Sequence, residues 1–342
     1  MKKLLIFTDT VSSQINWVNT SIKELKKNLE KNIELTIISS DDFLNVPLIW
    51  YKEIKLSILI PTKIEKHIKS IKPDFIHIAT EWPIWVFAAY ICKKLKLSYT
   101  TSFHSKYPEY VNLRISLIKK WYVHKYLHYI HDSSEKIFIS NSWMLNYLEK
   151  NSYKNIKIIP FWIDHSLFYP WEKKFFLDDK KIKLLFVWRI AIEKNIESFL
   201  KISDKYTKII VWDWPDKEKL EKKYKKTKFL WYKKWIELAD IYRSVDVFVF
   251  PSLTDTLWLV NLEALACWKP ILAYNIDSMK SIVENWKNWI LVNLDKSLET
   301  WIKDIINLNL EDITKDIKNY TWKNYALRFM EEQIQINKKI WT

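Results

Sequence analysis

Two stretches of this chain place anion-holding groups just beyond short apolar runs. In the first, Leu184-Leu185-Phe186-Val187 leads into Trp188-Arg189, with Lys194 close behind. A guanidinium that binds bidentately and a compact ammonium at the carboxyl end of a strand suit a diphosphate. A solvated basic loop would explain the same residues if they stood alone. In the second, Val247-Phe248-Val249-Phe250 gives way to Pro251-Ser252-Leu253-Thr254-Asp255-Thr256-Leu257-Trp258, and then to the helix-like Leu259-Val260-Asn261-Leu262-Glu263-Ala264-Leu265-Ala266. Free N–H groups and the dipole at a helix start favour phosphate. The amides around Leu259, with Trp258 and Val260 beside it, are therefore candidate phosphate donors. Asp255, in the loop, can accept sugar hydroxyls, and Glu263, in the second turn, can accept ribose hydroxyls.

These loops contain tryptophan where such turns need glycine. The 342 residues include no glycine and 20 tryptophans, whereas an average usage of roughly 7% would give about 24 glycines. In Ile209-Ile210-Val211-Trp212-Asp213-Trp214-Pro215 an apolar run enters a turn, where glycine alone adopts φ > 0 without steric cost. Asn285-Trp286 and Asn288-Trp289 read as Asn-Gly turn signals. A source genome that reads the opal codon UGA as glycine, translated with a table that reads it as tryptophan, accounts for both anomalies, and the abundance of Lys, Ile and Asn fits an AT-rich genome. Trp121 and Trp143 lie in helical, aromatic or polar settings that fit either residue.

Positioning these groups requires elements, and their pattern is regular. Short β-branched and apolar runs alternate with longer Lys-rich amphipathic segments, as in parallel strands joined by crossover helices. The spacing predicts strands over 4–7, 35–38, 75–78, 99–103 and 136–139, and a second series over 183–187, 208–211, 228–230, 247–250 and 270–273. A helix is predicted over 19–32, where Ile22, Leu25 and Leu29 share a face. A linker is expected from Ile158 through Asp164 and on past Pro170 to Lys181. The expected division is a first Rossmann-like domain over 1–165, a second over 166–320, and a closing helix over 321–342 packing back on the first. Two doubly wound parallel-sheet domains facing across a cleft would bind a ligand at the carboxyl ends of their strands.

Composition narrows the partners. A formal net charge of +15 favours anions: phosphate groups, nucleic acid or an acidic lipid face. Cys92 and Cys267 stand apart in apolar or helical stretches and read as buried thiols in a reducing cytoplasm. The apolar run after Met1 stops at Thr8-Asp9, too soon for a signal peptide, and no stretch reaches the roughly 18 apolar residues of a membrane span.

With those residues in view, the chain resembles the retaining glycosyltransferases of family 4, also called group 1, whose fold is GT-B: α/β, with two Rossmann-like domains. The resemblance runs from Thr8 to about Val292. It rests on Asp255 and Glu263 with their spacing, Arg189 with Lys194, the Gly-Asp-Gly-Pro-like Trp212 to Pro215, and Thr100-Thr101-Ser102-Phe103-His104. Asp255 stands where many members have Glu, and the wording around it is similar to the branch of GDP-mannose-dependent α-mannosyltransferases and sulfoquinovosyl-diacylglycerol synthases. The resemblance implies that Trp17, in Gln14-Ile15-Asn16-Trp17-Val18, takes the place of a glycine loop near the donor phosphates. It also implies that His104 lies near the transferred sugar, which a histidine capping a strand end would match equally well on sequence, and that Glu81 lines the acceptor side.

On this reading Arg189, Lys194, Asp255 and His104 form the catalytic set, transferring a hexose from a nucleoside diphosphate sugar to the hydroxyl of a glycan or lipid acceptor. The reaction needs no enzyme nucleophile, cofactor or metal, because fixed cations and a helix terminus already meet the phosphate charge. A noncatalytic nucleotide-sugar-binding scaffold of the same fold is the alternative. The stretch 119–131 is basic and aromatic and would suit an anionic membrane surface on the inner face of the cell membrane, although a core helix with a solvated lysine face is the plainer account. His124, His128 and His131 share helical spacing without the carboxylates of a zinc site. The aromatics, scattered through strands and helices, belong to cores rather than to a nucleic-acid surface.

Overall fold

The computed structural model describes residues 1–10, 17–48, 51–58, 61–80, 83–104, 106–115, 117–160, 162–188, 194–211, 217–231, 233, 235–253, 259–276, 279, 289–308, 317 and 320–336. Two compact units divide the chain: Met1–Phe161 with Trp322–Thr342, and Trp162–Thr321.

The first unit runs β1 (Lys2–Phe7), α1 (Trp17–Leu29), β2 (Ile33–Ile38), β3 (Leu44–Leu48), β4 (Tyr51–Ile58), α2 (Pro61–Ile71), β5 (Phe75–Ile78), α3 (Pro83–Lys94), β6 (Thr100–Ser102), α4 (Tyr107–Arg114), α5 (Lys120–His131), β7 (Lys136–Ile139), α6 (Ser142–Lys150) and β8 (Ile156–Ile158). Its six-stranded sheet has the order β2-β1-β5-β6-β7-β8, and β3 and β4 form a separate antiparallel pair. In the second unit β9 (Lys183–Val187), α7 (Ile196–Leu200), β10 (Thr207–Val211), α8 (Lys217–Lys223), β11 (Lys228–Leu230), α9 (Trp235–Ser244), β12 (Val247–Phe250), α10 (Leu259–Ala266), β13 (Ile271–Tyr274) and β14 (Trp289–Val292) build a sheet ordered β11-β10-β9-β12-β13-β14. The pairings within both six-stranded sheets are parallel.

Helices cover both faces of the central strands, so residues of both alternating sets are buried. Every residue of β5, β9, β10, β12 and β13 is buried. The periodic sequence signal found these strands. It missed β3 and β4, β14 at the Asn-Trp turn, and β8, whose three residues include Ile158, the expected start of the linker. β8 and β14 were lost because their residues adjoin stretches read as linker and as turn. The closing helix, Trp322–Ile334, belongs to the first unit. There Gln333 donates to Thr100 Oγ1 at 2.7 Å, and Lys136 pairs with Glu332 at 2.6 Å.

In each sheet the strand order reverses direction once, between β1 and β5 and between β9 and β12. Helices leave opposite faces at such a point, opening a crevice beyond the carboxyl ends of the two strands.

Candidate active site

In the second unit the described parts of the two stretches expected to hold anions meet at this switch point. Val247 pairs with Leu184 and Phe248 with Leu185, so the chain leaves β9 toward Trp188 beside the chain leaving β12 toward Pro251. Asn195 ties the two exits together, its Nδ2 donating to the Pro251 carbonyl at 3.2 Å. Asn195 itself has φ 51°, a left-handed conformation that asparagine tolerates better than most residues. Lys194, immediately before it, is only 2% exposed. Its ammonium lies 4.7 Å from the centroid of the Trp188 ring, and that ring meets Phe250 edge-on at 6.3 Å. The lysine read as a phosphate ligand thus stands at the predicted strand end, with an indole laid against it.

Helix α10 begins at Leu259, with Val260 buried in its first turn and Glu263 partly buried in its second. Tyr242, buried on α9, donates toward Glu263 Oε2 at 3.0 Å and toward the Val260 carbonyl at 3.2 Å. Burial pushes the Glu263 carboxyl up to about 7, against the opposing effect of the Tyr242 hydroxyl. The carboxyl therefore titrates near neutrality. Arg189, Asp255 and Trp258 lie outside the described residues.

The switch point of the first unit is built differently. Asp9, just past β1, receives the Thr80 hydroxyl on Oδ2 at 3.0 Å and the Ile84 amide on Oδ1 at 2.9 Å, while its own amide donates to Thr80 at 2.7 Å. Asp9 thereby caps the start of α3. His104 follows β6, and a ring nitrogen hydrogen-bonds the Ala79 carbonyl beyond β5. Burial first, then the nearby imidazoles His77 and His131, hold His104 well below the ordinary histidine range. The neutral ring keeps one acceptor nitrogen. Beneath it, buried His77 bridges Thr100 at 2.8 Å and Ser102 at 3.0 Å, and desolvation lowers it to about 3. Trp17 opens α1, its side chain lying outside the described residues, as does Glu81.

Asp9, Thr80, His77 and Tyr242 were not singled out in the sequence. Asp9 and Thr80 each follow a strand, a signal that could have found them. Nothing local to Tyr242 marks it, because its partner lies on another helix. The three histidines of α5 serve the structure instead: His124 contacts the Tyr153 hydroxyl at 3.1 Å, His128 contacts Asp132 at 2.9 Å, and buried His131 contacts Thr101 at 2.8 Å. Among the described residues there is no group of three or more metal-ligating side chains. A cavity of about 450 Å³ lined by Lys180, Lys183, Asp246 and Lys269 sits at the opposite, amino end of the second sheet.

Two Rossmann-like sheets in one chain, with cationic and carboxylate groups at the switch point of the second, define the GT-B class. Sucrose-phosphate synthase from Thermosynechococcus elongatus has this fold, with a TM-score of 0.77 at 15% identity over 98% of this chain and 99% of that one. So does Anabaena HepE, whose structure holds UDP and glucose, with a TM-score of 0.65 at 15% identity over 98% and 97%. A model of the glycosyl transferases group 1 matches residues 170–324 and a model of glycosyltransferase family 4 matches 18–167; the chain belongs to this glycosyltransferase family. Sulfoquinovosyl transferase SQD2 of Arabidopsis thaliana is 25% identical over 87% of the chain, which spans 63% of that protein's length. Alpha-monoglucosyldiacylglycerol synthase of Streptococcus pneumoniae is 25% identical over 82% of the chain and 73% of its own length.

Proposed function

We propose that the chain transfers a hexose, with retention of configuration, from a nucleoside diphosphate sugar to a hydroxyl of a lipid acceptor. The observation that carries this reading is the meeting of the Lys194 segment with the exit of β12 at the switch point of the second sheet. As the bond from the anomeric carbon to the phosphate oxygen breaks, negative charge grows on the diphosphate. Preorganised donors aimed at that charge stabilise the transition state more than the ground state. Lys194, Arg189 and the amides around Leu259 take this role, and Glu263 accepts from the ribose. Asp255 and neutral His104 accept from the sugar. The acceptor oxygen bonds to the anomeric carbon on the face the diphosphate leaves, and its proton passes to the departing phosphate oxygen. These fixed charges do the work of a metal ion.

A lipid acceptor is supported by the sulfoquinovosyl transferase and glucosyldiacylglycerol synthase relatives and by the surface of α5. Trp121, Tyr122 and Tyr129 are each more than half exposed or close to it, at 56%, 55% and 51%, among exposed Lys119, Lys120 and Lys125. Aromatic rings and ammonium groups together suit an anionic lipid interface. No helix among the described residues is long and apolar enough to cross a membrane. The test is a panel of nucleoside diphosphate sugars offered with diacylglycerol in anionic vesicles, the product's anomeric configuration read by NMR. A retained anomer on the lipid supports the proposal. Nucleotide-sugar binding with neither transfer nor slow donor hydrolysis overturns it in favour of a scaffold.

A further inference from the structure

Tyr242 shares its single proton between two acceptors on α10, and the nearer is Oε2 of Glu263. The hydroxyl is buried and held in its neutral form, since burial raises it well above the ordinary phenol range. We infer that Tyr242 is a positioning residue for nucleotide recognition: it pins Oε2 of Glu263 so that the carboxylate presents Oε1 to a ribose hydroxyl. This rests on the assignment of Glu263 to the ribose. A flexible carboxylate would have to be ordered at the moment of binding, and a side chain already fixed by a buried neighbour avoids that penalty. The same bond favours the ionised, accepting form of Glu263 against the burial that opposes it. Among the described residues, the titratable group facing Glu263 from another helix is Tyr242, and the Cys267 thiol, neutral and pushed up to about 12 by burial, lies near it in the turn just past α10.

The experiment compares UDP with 2′,3′-dideoxy-UDP, and GDP with its dideoxy form if the enzyme selects guanine, binding to wild type, Glu263→Gln and Tyr242→Phe by calorimetry. Phenylalanine keeps the ring that packs against Phe168 and Phe248, and the melting temperature of each variant checks its fold. Glu263→Gln should weaken UDP roughly tenfold, the scale of a hydrogen bond to a charged group, while leaving the dideoxy nucleotide unaffected. Tyr242→Phe should show a smaller loss of the same selective kind, and its UDP affinity should recover at higher pH than that of wild type. Equal weakening of both nucleotides by Tyr242→Phe, or none, overturns the inference about Tyr242 when Glu263→Gln still shows the selective loss. Absence of a selective loss in Glu263→Gln removes the ribose assignment itself.

A separate set of observations concerns the tryptophans. We propose that positions 188, 235 and 268 carry glycine in the protein made by its natural host. Trp235 and Trp268 have φ of 46° and 56°, the left-handed region that β-carbons disfavour. Trp268 ends α10 in a Schellman pattern: its amide donates to Leu265 at 2.8 Å, and the Lys269 amide donates to Ala264 at 2.9 Å. That position is glycine in most such caps. Trp188 leaves its indole N–H buried without an acceptor, an unfavourable state for a polar group, and lies against the lysine that is to meet phosphate. Peptide mass spectrometry of the host protein across 183–195, 233–243 and 264–270 decides: glycine at 188, 235 and 268 is expected, and an indole at any of these positions overturns the assignment there.

Discussion

The left-handed backbone at Trp268 can be tested without the natural host. Any Trp268 variant loses the indole, which is 44% exposed, so the informative comparison is Trp268→Gly against Trp268→Ala. At an ordinary helical position glycine is less stable than alanine by roughly 0.5 to 1 kcal/mol, because the unfolded chain gains freedom. At φ 56° alanine also bears a left-handed penalty of roughly 1 to 2 kcal/mol, which glycine escapes. The difference should therefore invert, leaving glycine ahead by about 0.5 to 1 kcal/mol. For a domain of this size that corresponds to a melting temperature about 2 °C higher. Exposed Lys26, within α1, supplies the control: Lys26→Gly should melt below Lys26→Ala. Differential scanning calorimetry of the four variants measures both differences. If Trp268→Ala melts at or above Trp268→Gly while the Lys26 pair behaves normally, the backbone argument at residue 268 is wrong.

Lys194→Ala should lower turnover by about 10² to 10³, as loss of one preorganised donor does elsewhere; near-normal transfer would remove this lysine from the mechanism. Glu263 has a folded-state carboxyl raised to about 7, so its burial destabilises the unliganded fold increasingly as pH climbs from the unfolded value toward 7. Glu263→Gln should thus gain melting temperature over wild type at pH 8 but not at pH 4, and equal gains at both would contradict the burial effect. His77 and His131, both lowered to about 3 by burial, stay neutral while the unfolded chain takes up protons. The stability of the first unit should therefore decline as pH falls from about 6.5 toward 3, measured by urea unfolding, and His131→Phe should flatten that decline. Transfer activity should survive an excess of chelator, since Lys194, Arg189 and the start of α10 meet the phosphate charge; abolition by chelator and rescue by a divalent ion would refute this.

Of the four donor-side candidates chosen by residue type and spacing, Lys194 and Glu263 fall near the exits of β9 and β12, while Arg189 and Asp255 lie outside the described residues; β9 and β12 are apolar enough to be seen as strands. What placed the two stretches side by side was not local. The pairing of β12 with β9 across an intervening β10 and β11 follows from the crossover rules of parallel sheets rather than from any residue. The Asn195 bond to Pro251 exists only once that pairing is made. Tyr242 was hidden for the same reason. His104 was visible as a histidine at a strand end, but its neutrality depends on burial beside His77 and His131, which three-dimensional packing alone supplies. The edge strands β8 and β14 were lost because their residues adjoin stretches read as linker and as an Asn-Trp turn, whereas the equally short edge strand β11 was found.

The two sheets share a switch-point topology yet fill it with different chemistry, and the difference bears on which unit holds the phosphates. At the first switch point the start of α3 is already occupied by a carboxylate: Asp9 accepts from the Ile84 amide and from Thr80. A phosphate arriving there would have to displace a like charge from its own hydrogen bonds. At the second switch point the described groups are a buried ammonium, Lys194, and a carboxyl, Glu263, whose raised proton affinity makes it a poor rival for cationic or N–H partners near neutral pH. Both sheets thus have a switch point, but a carboxylate stands at the helix start in the first and a buried ammonium stands near the strand exits in the second. In the proposed mechanism the charge that develops during transfer therefore falls to the second unit, because a phosphate at the start of α3 would compete with Asp9 for the Ile84 amide.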